Sequence, residues 1–259
     1  KKIDHSDFDV IISCGRKSVI PSIHLKSSSN KKVFNIHIQD PKVSLDHFDL
    51  VICPNHDNLT GDNVIKTEGA IYYLSLNEIN KNNKYIKIER ENKKIITLIL
   101  GGPNKYYDYS DREVDFIFNK IKNLFTPDKY KLIVVPSYRT PETIIKKAFN
   151  TFSGSNIVIK SVDKKAYLSS LSLADTIVVT CDSTSMISEA AVTGKPIYVA
   201  QMKPIKNNYR FEKFYRRFSE LGITRNLKET VDLWSYNQLD EVNRLAPLIK
   251  KKMKKNEII

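Results

Sequence analysis

Short apolar runs rich in valine and isoleucine recur along the chain, each closing in small or polar residues and most leading into a helical pattern. The early runs are Asp9 to Ser13, Val33 to Ile38 and Leu50 to Cys53. The later ones are Ile95 to Leu100, Leu132 to Val135, Ile157 to Ile159, Thr176 to Thr180 and Pro196 to Ala200. Strands that are apolar on both faces and alternate with helices predict parallel sheets covered on both sides. The fold class is therefore α/β. One stretch, 77–94 ("NEINKNNKYIKIERENKK"), is polar and rich in asparagine and lysine, with little apolar periodicity, and predicts the connection between two such domains. That places a first domain at 1–80, a linker at 81–94, a second domain at 95–205 and C-terminal helices at 206–259. Within the last segment, Phe211, Phe214, Tyr215 and Phe218 line one face of a helix over Tyr209 to Leu221, with Arg210, Lys213 and Arg217 towards solvent. A final helix runs from about Gln238 to Lys252, after a loop that carries the only tryptophan, Trp234.

Composition narrows the picture. A chain of 259 residues with 41% hydrophobic and 27% charged residues is ordinary for a globular protein. Its apolar stretches are strand-sized, so no membrane span is expected. The chain opens on a lysine with no charged-then-apolar leader, and the natural protein is expected to begin further upstream. The formal charge of +13, from 42 Lys+Arg against 29 Asp+Glu, favours anionic partners. Most of it is lysine scattered through loops; the densest run, Leu248 to Lys255, is either a solvated tail or a contact for an anionic membrane. Cys14, Cys53 and Cys181 form no C-x-x-C pair, which predicts reduced thiols and a cytoplasmic setting.

In open parallel sheets, ligands bind beyond the carboxyl ends of strands. The first domain offers Ser13 to Ser18 with Arg16, then Gln39-Asp40-Pro41 and Pro54-Asn55-His56-Asp57. The second offers Gly101-Gly102, Ser137 to Thr140 and the run Cys181 to Ser185. A double glycine permits close backbone approach to a ligand, or is a tight turn. Thr140-Pro141-Glu142 has the grammar of a helix start. Arg139 just before it suits a phosphate, or pairs with a carboxylate.

The run after Thr180 is the strongest. Small side chains at Ser183, Thr184 and Ser185 leave backbone N–H groups open at the start of a helix, where its dipole favours an anion. Ser183 or Thr184 also suits a helix cap, but a capping box from Ser185 fails because the carboxylate sits at Glu189 rather than at position 188. Glu189 is placed to accept hydrogen bonds from ribose hydroxyls, or is an exposed helix glutamate. Gly194-Lys195-Pro196 follows its helix and is no phosphate loop; Gly194 reads as a helix end. Asp7-Phe8-Asp9 precedes its strand, and five histidines show no H-E-x-x-H spacing, so no metal site is expected.

The segments "SCGRKS", "IHIQDP", "FDLVICPNHD", "LILGGPNKYY", "VVPSYRTPET" and "LADTIVVTCDSTSMISEAAVTGKPIYV" together resemble the bacterial branch of the mitochondrial-fission "elongated mitochondria" family. The block D-S-x-S-M-x-S-E-A-x-x-x-G-K-P also resembles the donor-binding segment of GT-B glycosyltransferases. The resemblance implies two Rossmann-like domains facing a cleft, with a preceding strand–glycine loop–helix unit absent and the first domain incomplete. It implies that Ser183, Thr184 and Ser185 hold a diphosphate, that Glu189 holds ribose and that Gly101-Gly102 line the cleft. It further implies that the Tyr209–Leu221 helix crosses back to the first domain. Two positions depart from the family pattern: Tyr138 stands where relatives often carry a second arginine, and Asn55 where they often carry glutamate.

Three functions follow as expectations. The first is metal-independent glycosyl transfer from a nucleotide-diphosphate sugar as co-substrate, without a cofactor, to a saccharide or membrane-linked acceptor. Arg139 and helix N-termini would stabilise the departing diphosphate, and His56 and Asp57, backed by Asp40, would supply the base. All three of those residues also suit plain turns. The second is a non-catalytic scaffold at a membrane, as resemblance to a family that recruits a dynamin-like GTPase implies. The third is a sugar-nucleotide epimerase, for which no dedicated acid–base pair is identified. Nucleic acid is not an expected partner.

Overall fold

The computed structural model describes residues 8–228 and 230–258, so Asp7 of the Asp7-Phe8-Asp9 motif lies outside the described residues. The chain divides into two compact units, one formed by 1–72 with 240–259 and the other by 73–239.

The first unit opens with β1 (Val10–Cys14), α1 (Val19–Ser27), β2 (Phe34–Ile38), β3 (Leu50–Pro54) and β4 (Val64–Thr67). These strands form one parallel sheet in the order β1-β2-β3-β4. Alternate residues face opposite sides of a strand, and here each side has its own helix. Val51 packs with Val19 and Phe48 on the α1 side.

The second unit contains α2 (Leu76–Lys81), β5 (Lys94–Leu100), α3 (Asp111–Leu124), β6 (Tyr130–Pro136), α4 (Glu142–Phe152) and β7 (Ile157–Val158). It continues with α5 (Lys164–Leu173), β8 (Thr176–Thr180), α6 (Thr184–Ala190), β9 (Ile197–Ala200), α7 (Tyr209–Glu220) and β10 (Thr224–Asn226). All six strands are parallel, in the order β10-β9-β8-β5-β6-β7. The central strands are buried on both faces, and α3 turns Val114, Ile117, Phe118 and Ile121 inward at helical spacing. The last helix, α8 (Glu241–Lys255), returns to the first unit. There Leu245, Ile249 and Met253 cover Phe34, Ile36, Leu50 and Ile52, the opposite side of that sheet from α1.

Three sequence expectations shift. The segment 81–94 is not a connection: the units divide at Tyr72, and this segment is anchored within the second unit. The Ile86 amide donates to Ser169 Oγ at 3.0 Å, and Arg90 reaches Asp175 at 2.6 Å and the Leu173 carbonyl at 2.9 Å. Ile86 is also buried in a cluster with Ile95, Ile133 and Val135, with Ile88 packed against it, and two such residues leave no apolar period to read. The helix at Tyr209 packs within the second unit rather than crossing back, because its aromatic face meets that unit. Phe214 and Phe218 are fully buried, and Phe211 sits edge-on to Tyr106 and Tyr107 at 5.3 and 5.5 Å. The crossing is made by α8. Two strands were invisible to the pattern: β4 ("VIKT") is short, and β10 ("TRN") is a polar edge strand paired only through its backbone.

Candidate functional site

The carboxyl ends of β5, β6 and β8 converge on one side chain, Asp182, which is fully buried. Burying a carboxylate is costly unless its lone pairs are met by donors. Here Oδ1 accepts from Thr180 Oγ1 at 2.7 Å and from the Tyr109 hydroxyl. Oδ2 accepts from the Gly102 amide at 3.1 Å and from Arg139 Nη2 at 2.6 Å. Arg139 also donates through Nη1 to the Gly102 carbonyl at 2.8 Å. Burial and the facing Asp182 push the Tyr109 phenol well above its ordinary pKa, so it stays a donor.

This hub explains the double glycine. A Cβ on Gly101 would stand 2.1–2.4 Å from the Asp182 carboxylate, and one on Gly102 would stand 1.8 Å from the Arg139 carbonyl oxygen. The glycines therefore admit Asp182 and Arg139 rather than lining an open ligand surface. Their amides are occupied too, Gly101 N–H by Thr180 Oγ1 at 2.8 Å and Gly102 N–H by Asp182. Arg139 keeps 40% of its side chain exposed, yet its charge is matched by Asp182. Of the two readings of Arg139, the structure realises the carboxylate pair.

The run after Asp182 enters α6 directly. Ser183 is the cap, its Oγ accepting from the Met186 amide at 3.3 Å. Thr184 and Ser185 follow as the first two helical residues, half-buried and exposed respectively. Amides at those positions have no intrahelical acceptor. One turn on, Glu189 is half-buried, and its Oε2 accepts from Tyr167 Oη of α5 at 2.8 Å. Burial raises the Glu189 pKa above the usual carboxylate value, against the lowering effect of the Tyr167 bond. Gly194 takes the left-handed conformation (φ 69°) that ends a helix.

In the first unit, Arg16 opens an exposed turn at 16–18 after β1. Asp40 Oδ1 accepts from the Lys42 amide at 3.0 Å while Oδ2 pairs with Lys42 Nζ at 2.5 Å. His56 and Asp57 lie in a short helical turn after β3, with His56 Nε2 3.8 Å from Asp57 Oδ1 and both side chains largely buried. Asn55 Nδ2 donates to Glu68 Oε2 at 2.9 Å, so a carboxylate from the end of β4 stands beside the position where glutamate was expected. Deeper in the sheet, His37 is fully buried, with Nδ1 2.7 Å from Ser13 Oγ and Nε2 without a partner. Burial lowers its pKa, and Asp40 opposes that shift.

Sequence reading missed Asp182 as a hub, along with Tyr109, Tyr167 and Glu68. The available signal was an acidic residue two positions after a buried strand, facing two glycines at the end of another. The partners Tyr109 and Tyr167 lie in loop and helix positions with no pattern of their own.

Comparison with known proteins agrees with the two-sheet architecture. The chain is 11% identical to a UDP-GlcNAc 2-epimerase of Neisseria meningitidis solved with UDP-GlcNAc, with a TM-score of 0.51 over 95% of this chain and 70% of that one. It is 12% identical to S. aureus MnaA solved with UDP, with a TM-score of 0.52 over 97% and 75%. At such identity the likeness is one of fold, the GT-B-like pairing of two parallel-sheet units. In sequence, the chain is 27% identical to Rickettsia prowazekii protein RP120 over 98% of its length and 82% of that protein. It is 25% identical to the Arabidopsis thaliana mitochondrial fission protein ELM1 over 94% of its length, and spans 64% of that relative. The family description "Mitochondrial fission ELM1" matches residues 2–253, and the chain belongs to that family.

Proposed function

We propose that the second unit binds a nucleotide-diphosphate sugar and that the chain transfers its sugar. The observation that carries this reading is Glu189. A half-buried carboxylate with one neutral partner, Tyr167, is held at a cost that burial registers as a raised pKa. Ribose hydroxyls are donors that would satisfy its remaining lone pairs. The accessible amides and hydroxyls of Thr184 and Ser185, one turn earlier, suit the diphosphate. Two proteins of this fold are known with UDP-GlcNAc and with UDP, which supports a uridine nucleotide as the first donor to try.

Arg139 and Asp182 cancel each other at close range, so charge on a departing diphosphate falls to the helix amides and hydroxyls. His56, next to Asp57, is the base assigned to the acceptor's proton, and the reaction needs no resident cofactor. A second reading, a non-catalytic scaffold, is favoured by the same ion pair, since it removes the one arginine at these loops from phosphate binding.

Thermal shift with a panel of UDP-, GDP- and CMP-sugars separates the two. A ligand at about a hundred times its dissociation constant adds about 2.7 kcal/mol of stability. Glu189→Ala is expected to abolish that gain, while His56→Ala keeps the shift and loses transfer. A shift that survives Glu189→Ala overturns the ribose assignment. No shift with any nucleotide leaves the scaffold.

A further inference from the structure

The first turn of α5, in the second unit, holds two tyrosines by their hydroxyls. Tyr167 Oη donates to Glu189 Oε2 at 2.8 Å. One turn earlier stands the helix cap, Asp163, whose carbonyl accepts from the Tyr167 amide at 2.9 Å, so the two residues are neighbours on one helix face. Asp163 Oδ1 accepts from the Lys165 and Ala166 amides at 2.8 and 3.0 Å, and Oδ2 accepts from Tyr85 Oη at 2.6 Å. That bond holds the Tyr85 phenol above and the Asp163 carboxyl below their ordinary pKa values, so donor and acceptor keep their roles at neutral pH. The two bonds together put Tyr85 one helical turn from the side chain that holds Glu189. The Tyr85 ring is nevertheless 50% exposed. Anchoring its segment does not require the ring, because the Ile86 amide already donates to Ser169 Oγ at 3.0 Å and the Ile86 side chain is buried. Val162, the residue before the cap, adds a second exposed apolar side chain to this turn. Tyr73 is more exposed still, but Lys164 Nζ stands 4.7 Å from its ring centroid and takes one face. Among the described residues no ring or cation packs on Tyr85.

In a nucleotide the base is bonded directly to the ribose. A ribose held by Glu189 therefore carries its base to a surface within a side-chain length of that carboxylate, and an aromatic face is a surface that every base accepts. The transferred sugar belongs elsewhere, since the diphosphate at Thr184 and Ser185 separates it from the ribose. We propose that Tyr85 is the stacking platform for the nucleobase of the donor. This rests on the assignment of Glu189 to ribose. The Asp163 bond fixes the ring in advance, so little side-chain freedom is lost when a base settles on it. Stacking uses the π-face common to all bases, so the platform strengthens the binding of pyrimidine and purine nucleotides alike.

The test is isothermal titration of the whole chain with UMP and with ribose 5-phosphate, which lacks the base. The parent is expected to bind UMP at least about tenfold tighter, the low end of base–aromatic stacking. Tyr85→Leu is expected to weaken UMP about tenfold and to leave ribose 5-phosphate unchanged. Tyr85→Phe keeps the ring and gives up the Asp163 bond, and is expected to bind UMP as the parent does. Glu189→Ala is expected to weaken both ligands. Trp234 emission confirms that each variant is folded. Equal losses in Tyr85→Phe and Tyr85→Leu assign the effect to the hydroxyl latch and overturn the proposal. Unchanged UMP binding in Tyr85→Leu overturns it as well, while a loss in Glu189→Ala leaves the ribose assignment standing. A parent that binds neither ligand removes that assignment and the platform with it.

Discussion

Replacing Asp182 by alanine tests whether the hub holds the second unit together. The change leaves the Gly102 amide and the Thr180 hydroxyl buried without their acceptor, while the Tyr109 hydroxyl keeps Thr180 Oγ1 at 2.7 Å. An orphaned buried donor costs about 1–3 kcal/mol, so the expected loss is about 4 kcal/mol. Replacing Arg139 by methionine instead leaves a fully buried carboxylate with neutral donors only. Stranding a buried charge costs about 3–5 kcal/mol, and the surviving donors and the exposure of Arg139 put this case near about 3 kcal/mol. The double variant still leaves the Gly102 amide without its acceptor but strands neither the carboxylate nor the guanidinium, so it is expected to lose about 5 kcal/mol, about 2 kcal/mol less than the sum. The assay is equilibrium urea unfolding followed by Trp234, the sole tryptophan, which sits in the same unit packed on Tyr198 at 5.0 Å. For a unit of this size each kcal/mol lowers Tm by about 2–4 °C, so Asp182→Ala should melt roughly 10 °C early. Additive losses within about 0.5 kcal/mol, or a loss below about 1 kcal/mol for Asp182→Ala, refute the hub and return Arg139 to a ligand role.

Two further outcomes follow from burial. Of the three cysteines only Cys14 is exposed; burial, opposed in part by hydrogen bonding at Cys181, pushes the Cys53 thiol up to about 11 and the Cys181 thiol up to about 12. A thiol reagent at about pH 8 should therefore titrate one cysteine in the folded chain and three after denaturation, and Cys14→Ser should remove the native signal; two fast thiols in the native state contradict the burial. His37 has its pKa lowered by burial, so the folded state favours the neutral ring. Its contribution is present above the unfolded value of about 6.5 and is lost as pH falls from there through the folded pKa. His37→Gln should flatten the acid side of the stability profile by up to about 1.4 kcal/mol per pH unit, and an unchanged slope refutes it.

The first-order fold was legible because it depends on local periodicity. Strands such as β5, β6 and β8 are buried on both faces, and their residues announce this by runs of consecutive apolar positions, Ile95-Ile96, Leu98 to Leu100, Leu132 to Val135 and Ile177 to Val179. Ser183 as a helix cap and Gly194 as a helix end were equally readable, since each solves a backbone problem within a few residues. Less was legible at the candidate site. Ser185 and Glu189 could be placed on one short helix, but not the Tyr167 hydroxyl that holds Glu189 from another helix, 22 positions away.

By itself, then, the sequence determined that the chain builds two parallel sheets, where most strands end, and which loops gather at the carboxyl end of the second. Only the tertiary structure decided how charge is distributed there. Arg139 and Asp182 are 43 residues apart and meet because β6 and β8 flank β5, an order set by non-local packing that no residue pattern states. The same holds for α8, a helix that could be placed in sequence while the sheet its apolar side covers lies at the other end of the chain. Periodicity fixes which face of an element must be buried; the identity of the surface that buries it is settled by the whole chain folding at once.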